Sequence, residues 1–150
     1  MRLRRRLNTV LLQWFLLLVA VLFHVYRAIT ALSLRSIRLQ GADFSGALLH
    51  RCCLRGVVAA RSRWRRARLV EADFRSGLDQ LTDLGYADFT RADLSFALLQ
   101  GVNLHAAILK GSCLYGANLR GCDLRGADLR DCDLGDTQLQ DALLEGALID

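Results

Sequence analysis

A large apolar residue recurs at every fifth position from Leu34 to Ile149, and this period constrains the fold more than any other feature of the chain. Of the 24 positions reached in steps of five, 22 hold Leu, Phe, Trp or Ile, and the exceptions are Ala59 and Asp79. An α-helix repeats every ~3.6 residues and a β-strand every ~2 residues. A period of five therefore excludes ordinary helices and strands and indicates short sides joined by turns.

The positions around each large residue, which we call the central residue, are restricted as well. The residue two before it is Ala 12 times, and ten more of these positions hold Cys, Ser, Thr, Val or Gly. The residue just before it is Asp or Asn ten times, and the residue two after it is Gly nine times. We interpret the central residue as filling the axis of a coiled chain, with the small residue where the chain comes closest to that axis. Successive coils would then stack at strand spacing, about 4.8 Å apart.

Units such as Ala117-Asn118-Leu119 and Ala127-Asp128-Leu129 closely resemble the pentapeptide-repeat family, whose consensus is Ala-(Asp/Asn)-Leu-x-x. The resemblance covers residues 32–150 and is strongest over residues 87–134. It implies an all-β solenoid, a right-handed quadrilateral β-helix with 20 residues in each of about six coils. It also implies a binding protein without catalytic machinery.

A coil of 20 residues predicts which side chains stack. Arg63 is expected between Asp43 and Asp83, and Arg91 above Glu71, so that opposite charges alternate along the surface. Exposed ion pairs of this kind contribute only about 0–1 kcal/mol each. This charge pattern therefore indicates a solvated face that helps to fix the register.

The same register brings Val58, Leu78 and Leu98 into one outward column, which is a candidate apolar interaction strip. One interruption is expected close to it. Asp79 stands at a central position, where an unpaired carboxylate would be too costly to bury. The unit around Ser76–Leu81 must therefore bulge or turn Leu78 inward.

Charge is distributed unevenly along the chain. Residues 1–38 carry a net charge of +7, residues 39–75 carry +5, and residues 76–150 carry −7. A nucleic-acid partner is not expected, because the acidic half would repel phosphates. Within the basic half, five arginines crowd one coil, and an acidic protein or an anionic lipid surface would relieve their repulsion. These candidate partner-binding residues are Arg61, Arg63, Arg65, Arg66 and Arg68.

Residues 1–31 form a separate region ahead of the repeats. From Val10 to Tyr26, 15 of 17 residues are apolar, which reaches the lower limit of about 17 residues for a helix that spans a bilayer. We predict a single-pass membrane helix here; a signal peptide cleaved near Ala31-Leu32-Ser33 and a helix that caps the solenoid are the alternatives. The arginines at positions 2–6 favour repeats outside the cytoplasm, whereas the basic stretch from Arg51 to Arg75 favours the opposite orientation.

No catalytic, cofactor or metal site is expected. The five cysteines include no C-x-x-C pair, and no histidine has a second ligand at metal spacing. Three cysteines occupy the small inward position, and two are expected to face outward on the same side of the solenoid, three coils apart. The inward cysteines are Cys52, Cys122 and Cys132, and the outward ones are Cys53 and Cys113.

The last coil is a candidate association end, through which a homodimer or a protein partner would cover unpaired backbone groups. Repeat arrays need caps, and open β-edges invite pairing. Its apolar residues are Leu143, Leu144, Leu148 and Ile149.

These patterns favour a non-enzymatic, membrane-anchored protein-interaction or scaffold module. The alternative follows from the resemblance, because some pentapeptide-repeat proteins imitate DNA in shape and charge and modulate a type II topoisomerase (gyrase). The acidic residues 76–150 could serve that role, whereas the basic half and the apolar N-terminal segment argue against it.

Overall fold

The solenoid is built from single bridging residues instead of extended strands. The computed structural model of the chain describes residues 39–77 and 80–150, and within them it contains no helix and no strand longer than one residue. Each five-residue unit contributes one parallel β-bridge, made by the residue just before the central residue. Four successive units, such as those of Asp83, Asp88, Asp93 and Leu98, bridge to the next coil, so each coil has four sides.

Backbone hydrogen bonds connect the coils along the solenoid. The N–H of Leu84 donates to the carbonyl of Asn103 at 2.8 Å, and the N–H of Asn103 donates back to the carbonyl of Thr82 at 3.2 Å. Because this pattern repeats on every side, backbone groups that would be costly to bury unpaired are satisfied by the neighbouring coil.

Central residues fill the axis, as the period predicted. From Leu39 to Leu129 the described central residues are at most 7% exposed, and the small residues that precede them are largely buried. One column is aromatic: Trp64 stacks on Phe44 with 4.2 Å between ring centroids and on Phe89 with 5.8 Å. The indole N–H of Trp64 donates to the hydroxyl of Ser62, so the one polar atom of this ring is paired.

The turns at the four corners explain two further preferences of the sequence. The N–H of Ala47 donates to the carbonyl of Phe44 at 3.0 Å, which closes a four-residue turn whose third residue, Gly46, has φ +71°. Glycine adopts positive φ without strain, which accounts for its frequency at this position. Each of the ten Asp or Asn residues before a central residue accepts the N–H two residues further on and so holds the turn that follows.

The expected bulge is present, and it changes the register of the coils. Bridges elsewhere join residues 20 apart, but those from Val58, Arg63, Arg68 and Asp73 reach residues 25 further on. The extra residues leave the coil after Arg75, and the N–H of Gly77 donates to the carbonyl of Gln80. The chain re-enters at Thr82, whose buried hydroxyl donates to the carbonyl of Arg75 at 3.2 Å and accepts the N–H of Gly56 at 2.8 Å.

This longer coil corrects the predicted charge pairs, which assumed 20 residues throughout. Arg63 lies between Asp43 and Asp88, and Asp83 bridges Val58 instead. The N–H of Glu71 donates to the carbonyl of Ser95, so Arg91 does not stack on Glu71. Glu71 binds the guanidinium of Arg51 in the preceding coil at 2.7 Å.

The predicted alignment of two outward sets is wrong for the same reason. Val58 bridges Asp83, whereas Leu98 bridges Asp73, so these two members of the apolar strip lie on different sides. Leu78 lies outside the described residues. Cys53 bridges Asp73 and Cys113 bridges Asp93, so these cysteines do not share a side either.

Within residues 39–77 and 80–150, no helix is long and apolar enough to cross a membrane. The segment predicted to do so, residues 10–26, lies outside the described part of the chain.

Candidate anion-binding corner

The five arginines of the predicted basic belt are all exposed, but they point in different directions and have different partners. Arg63 pairs with Asp43 at 3.5 Å, Arg65 pairs with Asp88 at 2.5 Å, and the guanidinium of Arg61 lies over the ring of Tyr86. Three of the five are thus occupied within the solenoid. In the described part of the chain, no ion pair is formed by Arg66 or Arg68.

A corner brings Arg66 together with two cations that the belt did not include. The N–H of Arg66 donates to the carbonyl of Thr90 at 3.1 Å, and the N–H of Arg91 donates to the carbonyl of Lys110 at 3.0 Å. Arg66, Arg91 and Lys110 therefore occupy the same corner in successive coils, with Arg65 beside Arg66. We call these four residues the basic corner.

An open groove of about 920 Å³ runs along the basic corner. Two turn glycines keep it open, because they place no side chain between the cations. A Cβ added to Gly111 would meet the Cγ of Arg91 at 3.5 Å, so that arginine lies close over the glycine. The other lining residues are Ser45, Gly46, Thr90 and Asp131.

Two carboxylates neutralise part of this positive charge. Asp131 lies 3.5 Å from the ammonium of Lys110, and Asp88 holds Arg65. Burial raises the pKa of Asp88, but hydrogen bonds from Thr90 and Arg65 outweigh that effect and keep the pKa below its usual value. Asp88 is therefore charged at neutral pH and fixes Arg65, which leaves Arg66 and Arg91 as the cations free to meet an anion from outside.

Arginines of the acidic half have a different environment. Arg125 and Arg130 each hold the carboxylate two residues earlier through two hydrogen bonds, at 2.7–2.9 Å. These bonds lower the pKa of Asp123 and of Asp128 to about 2. Because their charges are neutralised in place, Arg125 and Arg130 provide a natural comparison for Arg66 and Arg91.

Sequence reasoning found Arg65 and Arg66 but missed Arg91 and Lys110, which lie 25 and 44 residues beyond Arg66. Counting in steps of 20 placed Arg91 above Glu71, on another corner. The available signal was Asp79, since a unit with a charged central residue can be skipped when the coils are counted.

The other predicted surfaces remain predictions, with their exposure now described. Leu143, Leu148 and Ile149 are each nearly half exposed in the last coil, and Leu144 is less exposed. Within residues 39–77 and 80–150 all five cysteines are free, and no cluster of His, Cys, Asp and Glu is arranged to hold a metal ion. Burial raises the pKa of Cys122 to about 12 and of Cys52 to about 11, so these thiols are poor nucleophiles.

Stacked five-residue units around an axis filled by side chains define a β-solenoid repeat protein. The family model for pentapeptide repeats matches the chain in eight copies, over residues 32–57, 87–126 and 114–146. These matches cover more than half of the sequence, and the chain belongs to the pentapeptide-repeat family. A comparison with curated proteins finds no match.

Solved structures of the same family resemble the chain. Rfr23, a pentapeptide repeat protein from the cyanobacterium Cyanothece 51142, is 27% identical with a TM-score of 0.59, over 65% of this chain and 64% of Rfr23. HetL, a pentapeptide repeat protein involved in heterocyst differentiation regulation from the cyanobacterium Nostoc sp. strain PCC 7120, is 31% identical with a TM-score of 0.34, over 73% of this chain and 60% of HetL.

QnrB1, a plasmid-mediated fluoroquinolone resistance protein, is 21% identical in a trypsin-treated form, with a TM-score of 0.31, over 73% of this chain and 78% of QnrB1. Of the three structures, Rfr23 alone supports the fold assignment. The chain spans less than two thirds of the length of Rfr23 and of HetL.

Proposed function

We propose that this protein is a non-enzymatic interaction module whose basic corner binds an anionic lipid surface, with residues 10–26 as its membrane anchor. The observation that carries the proposal is the stack of Arg66 on Arg91 beside an open groove. Like charges on neighbouring coils destabilise the solenoid, and an anion placed between them removes that repulsion. The finer geometry expected from the family, a right-handed solenoid preceded by an apolar helix, belongs to this proposal as well.

A lipid surface is favoured over an acidic protein by the position of the charge along the chain. Residues 1–38 and 39–75 carry +7 and +5, and they adjoin or include the proposed anchor. Basic residues next to a membrane segment gain about 1 kcal/mol each from anionic headgroups.

Vesicle binding tests the role of the basic corner. A chain of residues 32–150 is mixed with phosphatidylserine vesicles after circular dichroism has shown that it folds. We expect binding that weakens as salt is added. The double variant Arg66→Gln/Arg91→Gln should lose about 2 kcal/mol, or roughly thirtyfold in affinity.

Arg125→Gln/Arg130→Gln is the matched control, because it removes the same charge from two arginines that already have partners. It should bind nearly as well as the unchanged chain. Equal losses in the two double variants would mean that only net charge matters, and no binding at low salt would exclude the lipid surface.

Membrane fractionation with a high-pH carbonate wash tests the anchor separately. Full-length protein that stays in the pellet supports the anchor. Shortened protein in the supernatant would indicate a cleaved signal peptide. Full-length protein in the supernatant would favour the other candidate, a DNA-mimicking modulator of a topoisomerase that uses the acidic half.

A further inference from the structure

Two aromatic rings lie side by side on the outside of the acidic half. Phe96 is 50% exposed and Tyr115 is 40% exposed, and their rings meet edge to face with 5.5 Å between centroids. Two glycines of the following coil make room for them: a Cβ on Gly116 would lie 2.6 Å from the Phe96 ring, and one on Gly135 would lie 2.8 Å from the Tyr115 ring. The backbone of each next coil thus supports a ring whose outer surface meets solvent.

Another corner of the same molecule shows how such a ring is covered. Tyr86 occupies the same position of its turn as Phe96, with φ +59° against +58°. The guanidinium of Arg61, from the coil before, lies 5.7 Å from the centroid of the Tyr86 ring. A cation over a ring face is attracted by the negative charge density of that face.

Phe96 has an acid where Tyr86 has an arginine. The N–H of Arg61 donates to the carbonyl of Gly85, and in the same way the N–H of Glu71 donates to the carbonyl of Ser95. Glu71 is itself bound to Arg51 on its far side. Among residues 39–77 and 80–150, no cation lies over the ring of Phe96 or of Tyr115.

Carboxylates lie beside the two rings. A hydrogen bond with the Asp136 carboxylate is the main cause of the raised pKa of Tyr115, and the charge of Asp133 raises it further. Residues 80–150 contain eleven acidic and five basic residues, a net charge of −6. Two of those bases, Arg125 and Arg130, are held by Asp123 and Asp128, so the negative charge around the rings is not cancelled locally.

We propose that Phe96 and Tyr115 form a docking site for a basic peptide, in which an arginine or lysine of the partner lies over the rings and its charge faces Asp133 and Asp136. The site reproduces between two molecules the contact that Arg61 makes with Tyr86 within one. It lies on a different corner from Arg66 and Arg91, and it depends neither on lipid binding nor on the anchor. A protein with both sites would connect an anionic surface to a cationic protein.

A fluorescent peptide of alternating arginine and glycine is the probe, with a peptide of alternating glutamine and glycine as its reference. Binding to the full-length chain is followed by fluorescence anisotropy. We expect the arginine peptide to bind and the glutamine peptide not to bind. Phe96→Ala and Tyr115→Ala should each weaken binding about fivefold or more, which corresponds to the loss of one cation–π contact.

Tyr86→Ala is the matched control, because it removes an exposed ring from the same turn position but one that Arg61 already covers. It should bind the arginine peptide like the unchanged chain. Asp136→Asn should weaken binding and make it less sensitive to salt.

Three results would overturn the proposal. One is equal affinity of the unchanged chain and the Phe96→Ala and Tyr115→Ala variants, provided that circular dichroism shows all of them folded. Another is equal affinity for the two peptides. The third is a chain that self-associates until Phe96 is replaced and never binds the arginine peptide, which would make the ring pair a contact between copies of this chain.

Discussion

Arg91 lies above Arg66 on one corner of the solenoid, although the two are 25 residues apart and the regular coil holds 20. The difference arises between Arg75 and Thr82, where one five-residue unit leaves the stack. Residues after this loop therefore stack one side away from where an uninterrupted count places them. The basic corner exists because of this shift.

The first prediction concerns the axis. Leu104 and Leu124 are at most 1% exposed, so Leu104→Asp or Leu124→Asp should abolish folding, because neither carboxylate would find a partner there. Ile108→Asp is the control from the same coil, since Ile108 is 41% exposed on a side, and this variant should fold. Circular dichroism and thermal melting distinguish them, and a native spectrum for either buried variant would refute the register.

The second prediction concerns the turns. Gly101 has φ +67°, and a Cβ added to it would meet nothing within 4 Å. Gly101→Ala should therefore cost about 1 kcal/mol of unfolding free energy through backbone strain alone. Gly101→Asn should cost less, because asparagine tolerates the left-handed conformation better. Urea unfolding provides the comparison, and identical losses in the two variants would argue against backbone strain as the cause.

The third prediction concerns acid stability. Hydrogen bonds from Arg125 and Arg130 lower the pKa of Asp123 and Asp128 from 3.8 to about 2 in the folded chain. A lowered folded-state pKa stabilises the protein above the unfolded value, and that contribution is lost as the pH falls from 3.8 toward 2. Melting temperatures should therefore drop across this interval.

A double variant isolates the contribution of these two carboxylates. Asp123→Asn/Asp128→Asn retains an oxygen that can accept the turn N–H but removes the titrating group. Its melting temperature should be lower than that of the unchanged chain at neutral pH and should fall less between pH 3.8 and pH 2. Parallel pH profiles for the two proteins would show that other groups control acid unfolding.

The fourth prediction concerns the loop. Deletion of residues 77–81 joins Ser76 to Thr82 and gives a coil of 20 residues without changing which residues stack. The shortened chain should fold with equal or slightly higher stability, because a shorter connection costs less entropy to close. It should also keep its affinity for anionic vesicles. Loss of the fold would show that the loop is required for the coil.

Much of this fold follows from the sequence because one rule governs each position. The large residue, the small residue and the turn glycine were each predicted from the period, and Leu104 and Gly101 lie where it placed them. The role of the Asp or Asn before the central residue was not predicted. It depends on a hydrogen bond to the next turn, such as that from the Ser95 N–H to Asp93, which the composition of the position alone does not reveal.

Surface sites were harder to predict, because they depend on which coils are neighbours. The bulge at Ser76–Leu81 was expected from Asp79, but its effect on every later residue was not carried through the count. Arg91 and Lys110 were missed for that reason. Phe96 and Tyr115 show no periodic signal, since they are single departures from the usual residues at exposed turn positions.

Disulfide cross-linking tests the 25-residue coil most directly. In a chain with Cys53→Ser and Cys113→Ser, the pair Arg66→Cys/Arg91→Cys is compared with the pair Glu71→Cys/Arg91→Cys under mild oxidation. Neighbouring coils lie about 4.8 Å apart, a separation that a disulfide can span. The structure predicts a cross-link for the first pair and none for the second. A cross-link between positions 71 and 91, with none between 66 and 91, would contradict the register and the basic corner with it.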